Sequence, residues 1–280
     1  MKSMTSKPAA KKNLKTEDGT RMPVLFLGHG SPMNAIEDSV FSRGWSEAAK
    51  ALPKPKAVLC VSAHWETEGA LVTAMGDPRT IHDFGGFPRE LYRVRYEAPG
   101  SPALAEEIRD IVRNTRIGLD VEWGLDHGCW SVLRRMYPRA DVPVVQLSLD
   151  FMSEPRAHYD LARELAPLRR RDVLIVGSGN IVHNLGRVVL RGDDFNEPFG
   201  LDWALKASAK IKTLIQENRH EELIAYEKLG GDVALAVPTP EHYLPLLYIL
   251  ALKEEDERVE FFNDEAVAGS LTMTSLLIGG

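Results

Sequence analysis

Short apolar runs recur along this chain, and each stops abruptly at a turn-forming or polar residue. Val24–Leu27 ends at Gly28-His29-Gly30, and Ala57–Ala63 ends at His64-Trp65-Glu66. Val142–Leu149 ends at Asp150, and Asp172–Gly177 at Ser178-Gly179-Asn180. Asp232–Val237 ends at Pro238-Thr239-Pro240-Glu241-His242. Apolar runs of this length, bounded by turn residues, read as buried strands. Shorter strands are expected at 71–74, at the alternating Tyr92–Tyr96, at 119–123, and as closing strands at 261–262 and 271–278. Between them lie helical stretches. Phe41–Leu52 is stopped by Pro53 and Pro55. Residues 101–114 open with Ser101 at the N-cap and Pro102 at the first turn. Further helices are expected over 129–137, 155–168, 198–229 (one or two) and 242–252. Strands alternating with helices predict an α/β domain with a central mixed or mostly parallel sheet between helical layers. In such sheets ligands bind beyond the carboxyl ends of the strands.

A chain of 280 residues with 44% hydrophobic content can bury one large core. Charge is unevenly spread. Residues 1–21 carry six Lys/Arg against two acids, so the remainder holds −10 of the net −6. The expected organisation is a basic disordered tail over 1–21 and one catalytic domain over 22–280. An acidic body argues against a nucleic-acid surface. Two cysteines exclude a disulfide framework and a cysteine-only zinc site. Cys60 reads as a core residue. No apolar run approaches the roughly 20 residues of a membrane span, and the N-terminus lacks a secretory apolar region. A cytoplasmic location is the expectation.

Five of the eight histidines fall at or just past an expected strand end or at a loop–helix junction. They are His29, His64, His127, His183 and His242. His82 lies in the Gly/Pro-rich loop 76–90 and could face the same site. His158 and His220 lie in helical patterns among polar residues and are expected to be solvated. One histidine after a strand is ordinarily structural. Five converging on the edge where open sheets bind ligands point to a metal, because neutral imidazole is the commonest metal ligand. Three such ligands leave coordination positions open for catalysis.

Other chemistries leave weaker traces. Gly177–Asn180 could cradle a phosphate, but it lacks the P-loop lysine and the dinucleotide fingerprint. Ser31 or Ser178 could be a nucleophile, but no GxSxG elbow is present. Cys129, expected on the first turn of a helix, could be an activated thiol.

Several motifs in fixed order carry a more specific signal. They are GHGSPMNAIED (28–38), VSAHWET (61–67), HDFGGFPRELY (82–92), LDHGCWSVL (125–133), QLSLD (146–150), GSGNIVHNL (177–185), PTPEHYLPLL (238–247) and the FFNDE to GSLTMTS segment (261–275). Together they resemble the class III extradiol ring-cleavage dioxygenases, within them the DOPA 4,5-dioxygenase subgroup, from about Met22 to Gly280. The resemblance implies metal ligation by His29, His64 and His242. Glu241 adjoins His242 and is the alternative third ligand. It implies an acid/base role for His183, which could approach zinc as a fourth ligand, and substrate contact for His127. The metal is Fe(II) or Zn(II), both of which imidazole suits. The implied reaction opens a catechol with O2 to a muconic semialdehyde. The implied partners are therefore a small catechol and O2, with no nucleic acid and no membrane, in a monomer or small homo-oligomer. Phe84 and Phe87 of loop 76–90 would form a lid or substrate wall, or simply pin the loop. The competing classes are a zinc-dependent hydrolase and a non-enzymatic metal-binding protein on the same fold.

Overall fold

In a computed structural model, residues 21–192 and 194–279 are described. The expected basic tail lies outside them. The chain runs β1 (Val24–Gly28), α1 (Val40–Ala51), β2 (Ala57–Thr67), β3 (Ala70–Thr73), α2 (Arg89–Tyr92), α3 (Pro102–Ile111), β4 (Ile117–Asp120), α4 (His127–Met136), β5 (Val144–Asp150), α5 (Pro155–Glu164) and β6 (Val173–Gly179). It continues through α6 (Asp202–Gln216), α7 (His220–Ile224), α8 (Gly231–Ala236), α9 (Leu244–Ala251), β7 (Arg258–Phe262), β8 (Ala266–Val267), β9 (Leu271–Thr272) and β10 (Ser275–Gly279).

Eight strands form one sheet in the order β4-β3-β5-β2-β6-β1-β10-β7. Its centre, β5-β2-β6-β1, is parallel, whereas β3 joins β5, and β10 joins β1 and β7, in antiparallel fashion. This is the mostly parallel mixed sheet that the alternating pattern predicts. The central strands are apolar throughout because both faces are covered. Val24, Phe26, Leu59, Val61 and Ile175 face the layer of α3 and α5 to α9. Leu25, Leu27, Val58, Cys60 and Val176 face α1 and α4. Cys60 is thus the core residue expected.

Three expectations are corrected. Asp232–Val237 is not a strand but α8. A run of five apolar residues cannot be assigned by periodicity alone. Here Val233 and Ala236 are buried and Ala234 is exposed, which is helical spacing against α6. Tyr92–Tyr96 is no strand either. Tyr92 closes α2, and Val94, Tyr96 and Ala98 point inward from an extended segment without a ladder partner. His158 is buried, not solvated, and bonds the Tyr248 hydroxyl at 3.1 Å where α5 packs on α9. His220 likewise meets the Tyr159 hydroxyl at 2.8 Å.

The amino ends of β1 and β6, away from the site, are tied by a buried ion pair. Arg169, 1% exposed, pairs with Glu257, 3% exposed. It also donates to the carbonyls of Met22 (2.8 Å) and Leu252 (2.6 Å). Burial pushes the Glu257 carboxyl up, but the Arg169 hydrogen bond, the Glu254 N–H and the charges of Arg169 and Arg21 together hold it below its ordinary range. Removing one partner strands the other charge. Arg169→Met is expected to lose about 3–5 kcal/mol in urea unfolding at neutral pH. A depressed carboxyl stabilises above its unfolded pKa and ceases to do so as pH falls through its folded pKa. The difference between wild type and variant should therefore shrink in the acid range, below the ordinary carboxylate pKa.

Candidate metal centre

The centre lies at the carboxyl ends of β1, β6 and β2, which are neighbours in the sheet. His29 follows the last residue of β1, and its backbone N–H donates to the Gly179 carbonyl at 3.1 Å. The next residue, Gly30, turns with a φ of +57°, a conformation glycine adopts freely. His64 arrives differently. β2 does not stop there. Its pairing with β5 runs to Val61↔Leu147 and resumes at Glu66↔Leu149, so residues 62–65 bulge from the ladder. Bulges re-aim side chains, and this one turns His64 inward.

His127 opens α4, capped by the buried Asp126. That carboxylate accepts from the Cys129 N–H (3.0 Å), the Ser62 hydroxyl (2.7 Å) and the Gln146 amide (2.7 Å). Because Ser62 also accepts from the His64 N–H at 3.3 Å, one network seats both histidines. Cys129, expected as an activated thiol, is fully buried, and burial pushes its thiol up. Such a thiol is inert, so that reading is withdrawn.

His242 does not follow a strand. It sits in the turn between α8 and α9, and its carbonyl accepts from the Asn180 N–H at 2.8 Å. A Cβ at Gly179 would lie 2.2 Å from that carbonyl oxygen, so the approach requires glycine. His183 lies beyond β6, and its ring stacks on His242 with centroids 3.5 Å apart and planes 8° from parallel.

The ring nitrogens of His29, His64 and His242 include three, one from each, within 4.8 Å of one another. The outward nitrogens have partners. Ser178 Oγ donates to the Gly128 carbonyl (2.6 Å), so it accepts from His29 Nδ1 (3.0 Å). His242 Nδ1 donates to Glu241 (3.1 Å), which also accepts from the Thr239 hydroxyl (2.9 Å). His64 Nδ1 lies 3.6 Å from Asp83. The inward Nε2 atoms of His29 and His64 are 3.1 Å apart. With the His29 Nδ1 proton directed at Ser178, the His29 Nε2 lone pair faces His64 Nε2, and a cation there would be held by both rings. Nitrogens bound 2.0–2.1 Å from one tetrahedral ion lie about 3.3 Å apart. The donor set fits a metal.

Charge agrees. Burial, then repulsion among neighbouring imidazoles, lowers His29 and His64 well below the ordinary histidine pKa and His183 to about 3. Burial also lowers His242, against the opposing pull of Glu241. For Glu241 burial acts upward, but bonds from His242 and Thr239 bring it down to about 2. The pocket therefore presents lone pairs, with carboxylates behind them.

All five expected histidines converge. The rings of His29 and His64, His29 and His242, and His64 and His127 have centroids 5.0, 5.3 and 3.9 Å apart. His82 does not join them. It bonds the Val94 carbonyl at 3.1 Å. Its neighbour Asp83 faces the centre instead. Phe84 meets Phe87, Tyr92 and the edge of His127, so loop 76–90 is pinned and also walls the pocket. Ser178, Asp83 and Thr239 were not singled out for these roles by sequence reasoning. Asp83 adjoins a suspected histidine, which was the one signal available.

An imidazole cluster set at the carboxyl ends of a parallel sheet, with carboxylates behind it, defines a metal-dependent α/β enzyme. Residues 23–276 match the family described as the catalytic LigB subunit of aromatic ring-opening dioxygenase. The chain is 46% identical over 261 residues to the 4,5-DOPA dioxygenase extradiol of Escherichia coli strain K12, covering 93% of this chain and 96% of that one. It is 37% identical to the protein of the same name in Beta vulgaris, covering 90% and 94%. An uncharacterized protein from Escherichia coli K12 superposes with a TM-score of 0.80 at 40% identity, covering 92% of this chain and all of that one. This chain belongs to the LigB family and is an extradiol ring-opening dioxygenase. It acts on a small aromatic molecule and O2. No helix among the described residues is long and apolar enough to cross a membrane.

Proposed function

We propose that His29, His64 and His242 hold one Fe(II), and that the enzyme cleaves a DOPA-like catechol at its 4,5 position to a muconic semialdehyde. The observations that support the ligand assignment are the outward Nδ1 hydrogen bonds of His29 to Ser178 and of His242 to Glu241, with one ring nitrogen from each of the three histidines within 4.8 Å of the others. Glu241 is spoken for by His242 and Thr239, which favours a supporting role over ligation. Bound there, iron supplies the charge and the one-electron chemistry that let a catechol react with O2. Zinc has no redox chemistry, which favours iron as the active ion. His183 could serve zinc as a fourth ligand, since it groups with Glu241 and His242.

The protein's own residues do the rest. His183 has no hydrogen-bond partner for its ring among the described residues, and burial keeps it neutral. A neutral imidazole with a free lone pair can take the proton from a catechol hydroxyl, a contribution worth about 10²–10⁴-fold. His127 presents Nε2 on the other side, because its Nδ1 proton is held by Asp83. It can hold the second oxygen in place and return a proton as the ring opens. Phe84 packs edge-on against His127 and narrows the pocket. Both atoms of O2 enter the product, so no other oxidant or reductant is needed. The relatives named 4,5-DOPA dioxygenase extradiol support DOPA as the substrate.

The test is to load metal-free protein anaerobically with Fe(II) or Zn(II), add DOPA, and admit air. With Fe(II), a yellow product should form with one O2 consumed per catechol. With Zn(II), DOPA should bind and O2 should not be consumed. Absence of O2 uptake by the iron form with DOPA and with simpler catechols would overturn this reading. Hydrolysis by the zinc form would favour a hydrolase.

A further inference from the structure

We propose that Asp83 is a positioning residue that fixes the tautomer and orientation of His127, so that a lone pair rather than an N–H faces the substrate. The proposal rests on the reading of this pocket as the catechol site. Asp83 grips His127 twice. Its Oδ1 accepts from the His127 backbone N–H at 2.9 Å, and its Oδ2 accepts from His127 Nδ1 at 2.9 Å. A carboxylate only accepts, so Nδ1 carries the proton, and in the neutral imidazole Nε2 is the bare nitrogen. The same Oδ2 lies 3.6 Å from His64 Nδ1. One side chain from a loop therefore orients a residue that meets substrate and steadies one that faces the metal.

The loop is built to deliver it. On the N-terminal side of Asp83, Ile81 N–H donates to the Leu125 carbonyl at 2.7 Å, and the Ile81 carbonyl accepts from the Trp130 indole at 2.7 Å. The Leu125 N–H returns to the Arg79 carbonyl at 2.8 Å. His82 is held outward by Val94. On the C-terminal side, Phe84 sits among Phe87, Tyr92 and Trp130. Asp83 is thus clamped between two anchors that face opposite ways. The carboxylate is half-buried, its side chain 17% exposed, and no Lys or Arg pairs with it among the described residues. Its two short bonds go to His127. A loop residue held this firmly for surface reasons alone would not need a carboxylate aimed inward.

Asp83→Asn separates this role from bulk. The amide keeps the shape but presents an NH2 where an acceptor stood. To satisfy it, His127 must move its proton to Nε2. In zinc-loaded full-length protein with 15N-labelled histidine, the wild type should show His127 protonated at Nδ1 and the variant at Nε2. In the iron-loaded protein, kcat should fall about 10²–10⁴-fold, the range for a lost acid–base group or a wrong tautomer, with KM changed much less. Bound metal should stay stoichiometric. Asp83→Glu should recover at least tenfold of the loss. In a double variant with His127→Gln, the Asp83→Asn change should cost nothing further, because residues acting as one unit are not additive.

Three results would overturn the proposal. One is an unchanged His127 tautomer in Asp83→Asn. Another is turnover within twofold of wild type. The third is loss of bound metal, which would make Asp83 a ligand. If the wild-type iron form turns over no catechol, the reading of the site fails, and the tautomer measurement still reports on Asp83 independently.

Discussion

His64→Ala should abolish both metal retention and ring cleavage while leaving the fold intact. His64 is one of three imidazoles whose inward nitrogens cluster, and its Nε2 lies 3.1 Å from that of His29. A three-ligand site that loses one ligand keeps two, too few to hold a divalent ion against water. The side chain is not part of the apolar core, which lies beneath it in the sheet. Its bulge is held by backbone and Ser62 contacts that alanine keeps. Metal analysis after dialysis should find well under one equivalent, and O2 uptake with DOPA should be at background. Circular dichroism should match wild type. Full activity with intact metal content would remove His64 from the ligand set. Glu241→Gln supplies the contrast. If Glu241 only supports His242, the variant should keep the metal with about 10–100-fold weaker affinity, the usual cost of losing a partner behind a ligand. If Glu241 itself ligates, Glu241→Gln should behave like His64→Ala.

His183→Gln should do the opposite, retaining metal and losing turnover. The His183 ring stacks flat on His242 and lies outside the His29, His64 and His242 group. Unlike the other imidazoles, it has no hydrogen bond to protein among the described residues, and burial keeps it neutral. A ring with no protein partner is left free to meet a substrate hydroxyl. Its loss should lower kcat by about 10²–10⁴-fold, with catechol still bound. Glutamine fills similar space without a titratable nitrogen. Stoichiometric iron, near-normal DOPA binding and an unchanged rate would remove His183 from the acid/base role. Loss of iron would instead make it a fourth ligand for iron as well as zinc.

Much of this was legible in the chain. Val24–Leu27 and Ala57–Ala63 read correctly as buried strands, because strands covered on both faces must be apolar throughout. Ser101-Pro102 marked the start of α3 through capping chemistry that is local, and the structure shows Ser101 accepting from the Leu104 N–H at 3.2 Å. His29 could be placed because a strand that ends in Gly-His-Gly leaves little choice of where the ring goes. Loop 76–90 stood out by its Gly and Pro content. The errors share one cause. Asp232–Val237 was read as a strand and His158 as solvated because pattern reports which residues are buried, and it is silent on what they are buried against. A five-residue apolar run satisfies a sheet or a helical layer equally. His82 and Asp83 are adjacent, and nothing local says which of the two turns inward.

The α/β class, the alternation of strand and helix, and the placing of His29 at a strand end were all legible in the chain, because burial period and turn chemistry act over a few residues. How the imidazoles are held is set by packing between distant elements. Ser178 stands behind His29 from 149 residues away, Asp83 behind His127 from 44, and Glu241 beside His242 in a turn that had been read as following a strand. Such pairings are set when separate elements pack and buried polar atoms must find partners. For His29, His127 and His242 that requirement fixes which nitrogen is directed away from the centre.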